Sequence, residues 1–143
     1  MKMKNWRFGT VSLGLLLLGA PAAAQAEDFI KGVYLQSEEL CAQAKKETLQ
    51  SLIDAGSLIL SARGIESVEY SCEFLNVTRA KRSPAWAVTA LCQEPGHMFP
   101  DTLSILELNP TQLEVGSVRT IDDEGGETDN SGTYYLCAGI TMP

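Results

Sequence analysis

Apolar and polar residues alternate with a period of two through most of this chain, as expected of strands that bury one face and wet the other. The pattern is cleanest where Val68, Tyr70, Cys72 and Phe74 interleave with Ser67, Glu69, Ser71 and Glu73. After the loop 79–84 the alternation resumes from Ala85 to Gln93, with Trp86, Val88, Ala90 and Cys92 sharing a face. Further strands are predicted over 29–36, 57–62, 102–108, 112–118 and 133–137, separated by turn signals such as Asp54-Ala55-Gly56, Glu94-Pro95-Gly96 and Asn109-Pro110-Thr111. In the last strand Thr133, Tyr135 and Cys137 are in phase, which sends Tyr134 outward. One segment reads differently. Ser37 offers an N-cap, Glu38 and Glu39 suit a first turn, and Leu40, Cys41 and Ala44 recur at helical spacing before Lys45 and Lys46. This predicts a short helix over 38–46, and residues 48–53 are compatible with prolonging it. The fold class expected is mainly β: a small antiparallel barrel or sandwich with one short N-terminal helix.

The first 26 residues stand apart from this pattern. Lys2, Lys4 and Arg7 precede a short apolar run over 11–20, and Ala24-Gln25-Ala26 has small residues at the positions a signal peptidase reads. The run is shorter than the roughly 20 residues a membrane-spanning helix needs. Residues 1–26 are therefore expected to be a cleaved signal peptide and 27–143 a single exported domain, with a bacterial periplasm as its destination and no membrane insertion after cleavage.

Export changes the reading of the four cysteines. An oxidising compartment favours disulfides, and none of the four lies in a C-x-x-C pair that would suggest zinc or redox chemistry. Folding the strands at 68–74 and 85–93 against each other brings Cys72 level with Cys92 on the buried face. Cys41–Cys137 then follows by elimination. On the chain-entropy model the first bridge contributes about 3 kcal/mol and the second roughly 4–5 kcal/mol.

Charge narrows the partners. All 18 acidic residues lie beyond the signal while three of the 11 basic ones leave with it, so the exported part carries a formal charge of −10. Such a chain repels nucleic acid and is drawn to a cationic protein partner. Against that background Arg79, Lys81 and Arg82 form a basic knot at a hairpin tip, suited either to entering an acidic cleft or to discouraging edge pairing. The stretch 122–132 concentrates acidic residues and glycines. It holds oxygen ligands for calcium, but not at the spacing of an EF-hand, so a solvated loop is the expectation.

Catalytic chemistry has little to stand on. The sole histidine, His97, has no acid or nucleophile near it in sequence, and no nucleophile–base–orienter set or metal-ligand spacing emerges. No enzymatic activity, cofactor or metal is expected.

Two short motifs carry resemblances. Gly32-Val33-Tyr34 resembles the G-x-W/Y opening of lipocalin-like barrels, among them small periplasmic inhibitors of secreted metalloproteases. Ser131-Gly132-Thr133-Tyr134-Tyr135 is similar to the S-G-x-x-Y motif of bacterial inhibitors of c-type lysozyme. That resemblance implies that Ser131 reaches the lysozyme's catalytic carboxylates, with Gly132, Tyr134 and Tyr135 shaping the contact. The order of cysteines, tryptophan and terminal Tyr-x-Cys also looks like that of small exported alphaproteobacterial proteins, which implies a shape and no activity. The function expected is a soluble protein-binding module, an inhibitor of a cationic enzyme in its sharpest form. A carrier of small apolar ligands in a barrel cavity, or an envelope accessory protein, is the alternative.

Overall fold

The computed structural model describes residues 29–119 and 129–142, so the signal segment and the acidic residues 122–128 lie outside the described residues. Eight strands form a closed antiparallel barrel in which each pairs with its sequence neighbours. They are β1 (Tyr34–Leu35), β2 (Ile59–Ser61), β3 (Gly64–Ser67), β4 (Tyr70–Arg79), β5 (Ala85–Glu94), β6 (His97–Asn109), β7 (Gln112–Ser117) and β8 (Gly132–Leu136), and β8 closes onto β1. Two helices, α1 (Glu38–Lys46) and α2 (Leu49–Asp54), lie between β1 and β2.

Local chemistry accounts for most of these boundaries. The Ser37 side chain accepts from the Leu40 amide at 3.1 Å, and Glu38 and Glu39 stand in the first turn of α1 with Lys45 and Lys46 in its last. Residues beyond 47 form a separate second helix, because Thr48 caps it anew by accepting from the Ser51 amide at 3.1 Å. The first strand shrinks from the expected 29–36 to two residues. Gly32 takes a φ of +100°, which turns Phe29 and Ile30 away from pairing and into the end of the barrel. There Phe29 packs edge-on to Phe74 and Trp86, with ring centroids 6.0 and 5.7 Å apart.

The long expected strand beginning at Ser67 is also divided. Gly64–Ser67 forms β3, and Val68 and Glu69 make the hairpin turn, with Glu69 at φ 52°. Val68 is consequently 47% exposed instead of facing inward. A side chain at Gly64 would run into the Cys72 carbonyl oxygen, so the close approach of β3 to β4 requires glycine there.

Two cores result. Tyr34, Leu60, Ile65, Trp86, Val88, Leu103, Ile105, Leu113, Val115 and Tyr134 are among the side chains that fill the barrel. Outside it, Leu35, Cys41, Ala44, Leu52, Ile59 and Cys137 pack the helices against β1, β2 and β8, with Tyr135 half-buried among them. This second layer overturns the expected orientation of the last strand. Tyr134 points into the barrel and is fully buried, while Tyr135 and Cys137 occupy the outer face, which α1 covers. The alternation was legible, but with both faces apolar its direction was not.

Both disulfides join the expected pairs. Cys72–Cys92 lies inside the barrel between directly opposed residues of β4 and β5, and Cys41–Cys137 fastens α1 to the chain beyond β8. All four cysteines are bridged, which fits an oxidising, exported environment. No helix among the described residues is long and apolar enough to cross a membrane.

Candidate functional site

The antiparallel order gives the barrel two unlike ends. One carries the β3–β4 turn, the β5–β6 turn, the end of β7 and the start of β8. Its floor is a buried polar network that the sequence pattern gave little reason to expect. Asp101 occupies an inward position on β6 between Phe99 and Leu103 and is 4% exposed. Its carboxylate accepts from the Ser117 hydroxyl at 2.8 Å, the Thr102 amide at 2.7 Å and the Asn130 side-chain amide at 3.1 Å. Asn130, 2% exposed, ties this carboxylate to the rest of the barrel. Its Oδ1 accepts from the Tyr70 hydroxyl at 2.8 Å, its carbonyl accepts from the Tyr134 hydroxyl at 3.1 Å, and its Nδ2 lies 3.3 Å from the Cys72 sulfur.

Burial of these partners shows in their acidity. Desolvation pushes the Tyr70 phenol up to about 12, with the Asn130 hydrogen bond acting against it and the charge of Asp101 adding to it. Desolvation also raises the Tyr134 phenol well above its ordinary value. Both hydroxyls are therefore held neutral as donors, which is the form the network needs.

The rim above this floor is acidic. Glu69, Glu94 and Asp129 lie at this end, Glu66 is paired with Arg63 at 3.5 Å, and Asp122, Asp123, Glu124 and Glu127 fall in the sequence between Arg119 and Asp129, outside the described residues. Arg119 is the described cation of the rim. Its guanidinium lies over the Phe99 ring, 3.6 Å from the centroid, and 3.9 Å from the Glu94 carboxylate. His97 stacks on the same ring at 5.4 Å. Among the described residues, a buried nitrogen of Arg119 and a buried oxygen of Glu94 have no hydrogen-bond partner.

The residues singled out from the sequence fall in three places. Ser131 stands at the base of the acidic rim, half-buried, where its hydroxyl accepts from the Ser117 amide at 2.9 Å and its own amide donates to Asp129 at 2.8 Å. Gly132 begins β8 directly behind it, and Tyr134 belongs to the floor of the network. Tyr135 faces the helical layer instead. Arg79, Lys81 and Arg82 are exposed at the β4–β5 tip, at the opposite end of the barrel. The structure thus brings Ser131, Gly132 and Tyr134 together with Asp101 and Asn130, and separates them from the basic knot. Among the described residues no group of three or more His, Cys, Asp or Glu side chains is placed to hold a metal ion.

The far end is closed by Phe29, Phe74 and Trp86, and among the described residues the buried indole nitrogen of Trp86 has no hydrogen-bond partner. A shallow pocket of about 290 Å³ lies beside it, lined by Lys31, Tyr34, Glu107, Pro110 and Leu136 among others.

These features define a class: an eight-stranded antiparallel barrel, braced by two disulfides, packed with side chains and stoppered at one end by a buried polar network beneath an acidic rim. Comparison with known protein families, with curated proteins and with solved structures returned no match to this chain.

Proposed function

We propose that this protein is a periplasmic binding module, exported by its signal peptide, that docks on a cationic protein through the acidic rim. The observation that carries the reading is the contrast between floor and rim. Asp101, Asn130, Tyr70, Tyr134 and Ser117 satisfy one another in the interior, whereas the rim above them carries Glu69 and Asp129 beside Glu94, which pairs with Arg119, while Glu66 pairs with Arg63. A rigid support under unbalanced charge is suited to fast, electrostatically steered association. In its finer form the partner is a c-type lysozyme and the protein an inhibitor, with Ser131 at the base of the contact and Tyr134 and Gly132 holding it in position.

The test is a binding measurement with lysozyme and with a periplasmic extract at low salt. Binding that weakens steeply with added salt, and is lost when Glu69→Gln is combined with neutralisation of Asp122, Asp123, Glu124 and Glu127, supports the rim. No cationic partner at low salt, or binding indifferent to these changes, overturns it. Inhibition that survives Ser131→Ala would remove Ser131 from the contact while leaving the docking surface intact. The carrier alternative rests on Trp86 and its shallow pocket, because the barrel interior is occupied by its own side chains.

A further inference from the structure

A different surface points to a second partner. In this charge-rich chain the outer face of the central hairpin is neutral: from Ala87 to Gln93 on β5, and from Met98 to Leu108 on β6, every outward position is uncharged. The large exposed apolar side chains gather on it and its borders. Met98 is 58% exposed, Leu106 43%, Leu108 55%, and Val118, whose amide bonds to the Thr102 carbonyl, 72%. Between them lie Thr89 opposite Thr102, Ala87 opposite Ser104 and Leu91 opposite Pro100. A flat neutral face of this kind offers a charged partner nothing to pair with and suits a surface like itself.

We propose that this face is a homodimer interface, in which two copies pack sheet against sheet with their barrel axes reversed. Two observations select the second copy and its orientation. The first is register. Met98 and Leu106 lie four residues to either side of Thr102 on the same face of β6. A twofold axis lying in the interface plane and crossing the strands at Thr102 sets Met98 of one copy against Leu106 of the other, with Pro100 facing Ser104 and Leu91 facing Ala87 between them. The second is charge. Reversal brings the β4–β5 tip, with Lys81 and Arg82, beside the partner's β5–β6 turn and the acidic rim at Glu69 and Glu94. Each end then meets its electrostatic complement, whereas packing with the axes aligned would put acid against acid and base against base. With the flanking strands β4 and β7, whose outward Glu73 and Glu114 give the neutral hairpin a charged border, four strands about 4.8 Å apart, spanned from Met98 to Leu106 at about 3.3 Å per residue, give roughly 500 Å² in plan. This is less than the ~800 Å² per partner of a standard stable complex, so the dimer is a reversible one with a dissociation constant on the order of micromolar.

Sedimentation equilibrium on the protein expressed with its leader and purified, from about 1 μM to about 1 mM, tests the proposal. The expected result is a monomer–dimer equilibrium that weakens at least about tenfold in Thr102→Arg, which brings two like charges together at the axis. Lys81→Glu with Arg82→Glu weakens it several-fold. Met98→Glu and Leu106→Lys each weaken it, and together they restore it, because the two positions face each other across the axis. Circular dichroism and intact disulfides verify the fold of each variant. A monomer throughout the range, a dimer indifferent to both Thr102→Arg and Met98→Glu, or failure of the double variant to recover would overturn the assignment.

Discussion

Replacing Asn130 by alanine tests whether the polar floor is a structural keystone. The side chain makes one hydrogen bond from a neutral donor, Tyr70 at 2.8 Å, and one to a carboxylate, Asp101 at 3.1 Å. Losing a neutral bond in a buried site costs about 1 kcal/mol, and losing one to a charged group about 1.5–3 kcal/mol. Tyr70 keeps only the weak acceptor at the Cys72 sulfur, 3.0 Å away, so water does not restore the difference cheaply. The sum, about 2.5–4 kcal/mol, is a large part of the roughly 5–15 kcal/mol that stabilises a typical domain. At about 4 °C per kcal/mol it lowers the melting temperature by roughly 10–16 °C. The fluorescence of Trp86, the sole tryptophan after residue 26, reports the melt from inside the barrel. Asn130→Asp supplies a second signature. It sets a new carboxylate against Asp101, so its deficit relative to the parent protein should shrink as the pH falls from about 7 to about 5 and the pair takes up a proton. An alanine variant within about 1 kcal/mol of the parent would refute the keystone argument, as would an aspartate deficit that ignores pH.

Two further outcomes follow from the same geometry. Removing the Cys41–Cys137 bridge by a double Ser substitution should cost more than removing Cys72–Cys92, about 4–5 against about 3 kcal/mol, because they span 96 and 20 residues; equal midpoints in urea would contradict the loop-length reasoning. Alkaline titration should unfold the protein: the raised pKa values of Tyr34, Tyr70 and Tyr134 stabilise the fold below pH 10, and that contribution is lost as the pH rises toward the Tyr70 value of about 12. Tyrosinate absorbance should therefore appear together with loss of near-ultraviolet circular dichroism, and smooth ionisation of every phenol in an intact fold would argue against buried donors.

Much of the barrel was legible because period-two alternation and turn chemistry are local. The pairing of Cys72 with Cys92 needed only two adjacent strands in phase, and the Ser37 cap needed only its own first turn. What failed was non-local. Tyr134 looked outward because sequence does not announce that α1 will cover the other side of β8. Val68 continued the alternation of β4, yet the steric demand at Gly64 and the turn at Glu69 placed it in a bend. The polar floor left one faint sign, an aspartate on the apolar phase of β6 two residues before Leu103. Reading that strand as starting at Thr102 left Asp101 in a turn, and its partners Asn130 and Ser117 meet it only in space.

The distribution of charge matters more than its total. A formal charge of −10 on residues 27–143 suggests a body that attracts cations from any side and repels its own kind. Yet β6 alone runs 13 residues from the acidic rim to the basic end, about 40 Å at about 3.3 Å per residue. The screening length at physiological ionic strength is about 8 Å. The two ends are therefore electrically independent, and an approaching molecule responds to the end it meets. A cationic partner is drawn to Glu69, Glu94 and Asp129 regardless of Lys81 and Arg82. A second copy approaching along the neutral hairpin meets little repulsion until it is close, and by then the arrangement of ends decides its orientation. The same screening sets the two contacts apart by degree: added salt should weaken docking at the rim more than the dimer, because packing around Thr102 is uncharged and only the ends of the dimer, Lys81 and Arg82 against Glu69 and Glu94, respond to salt.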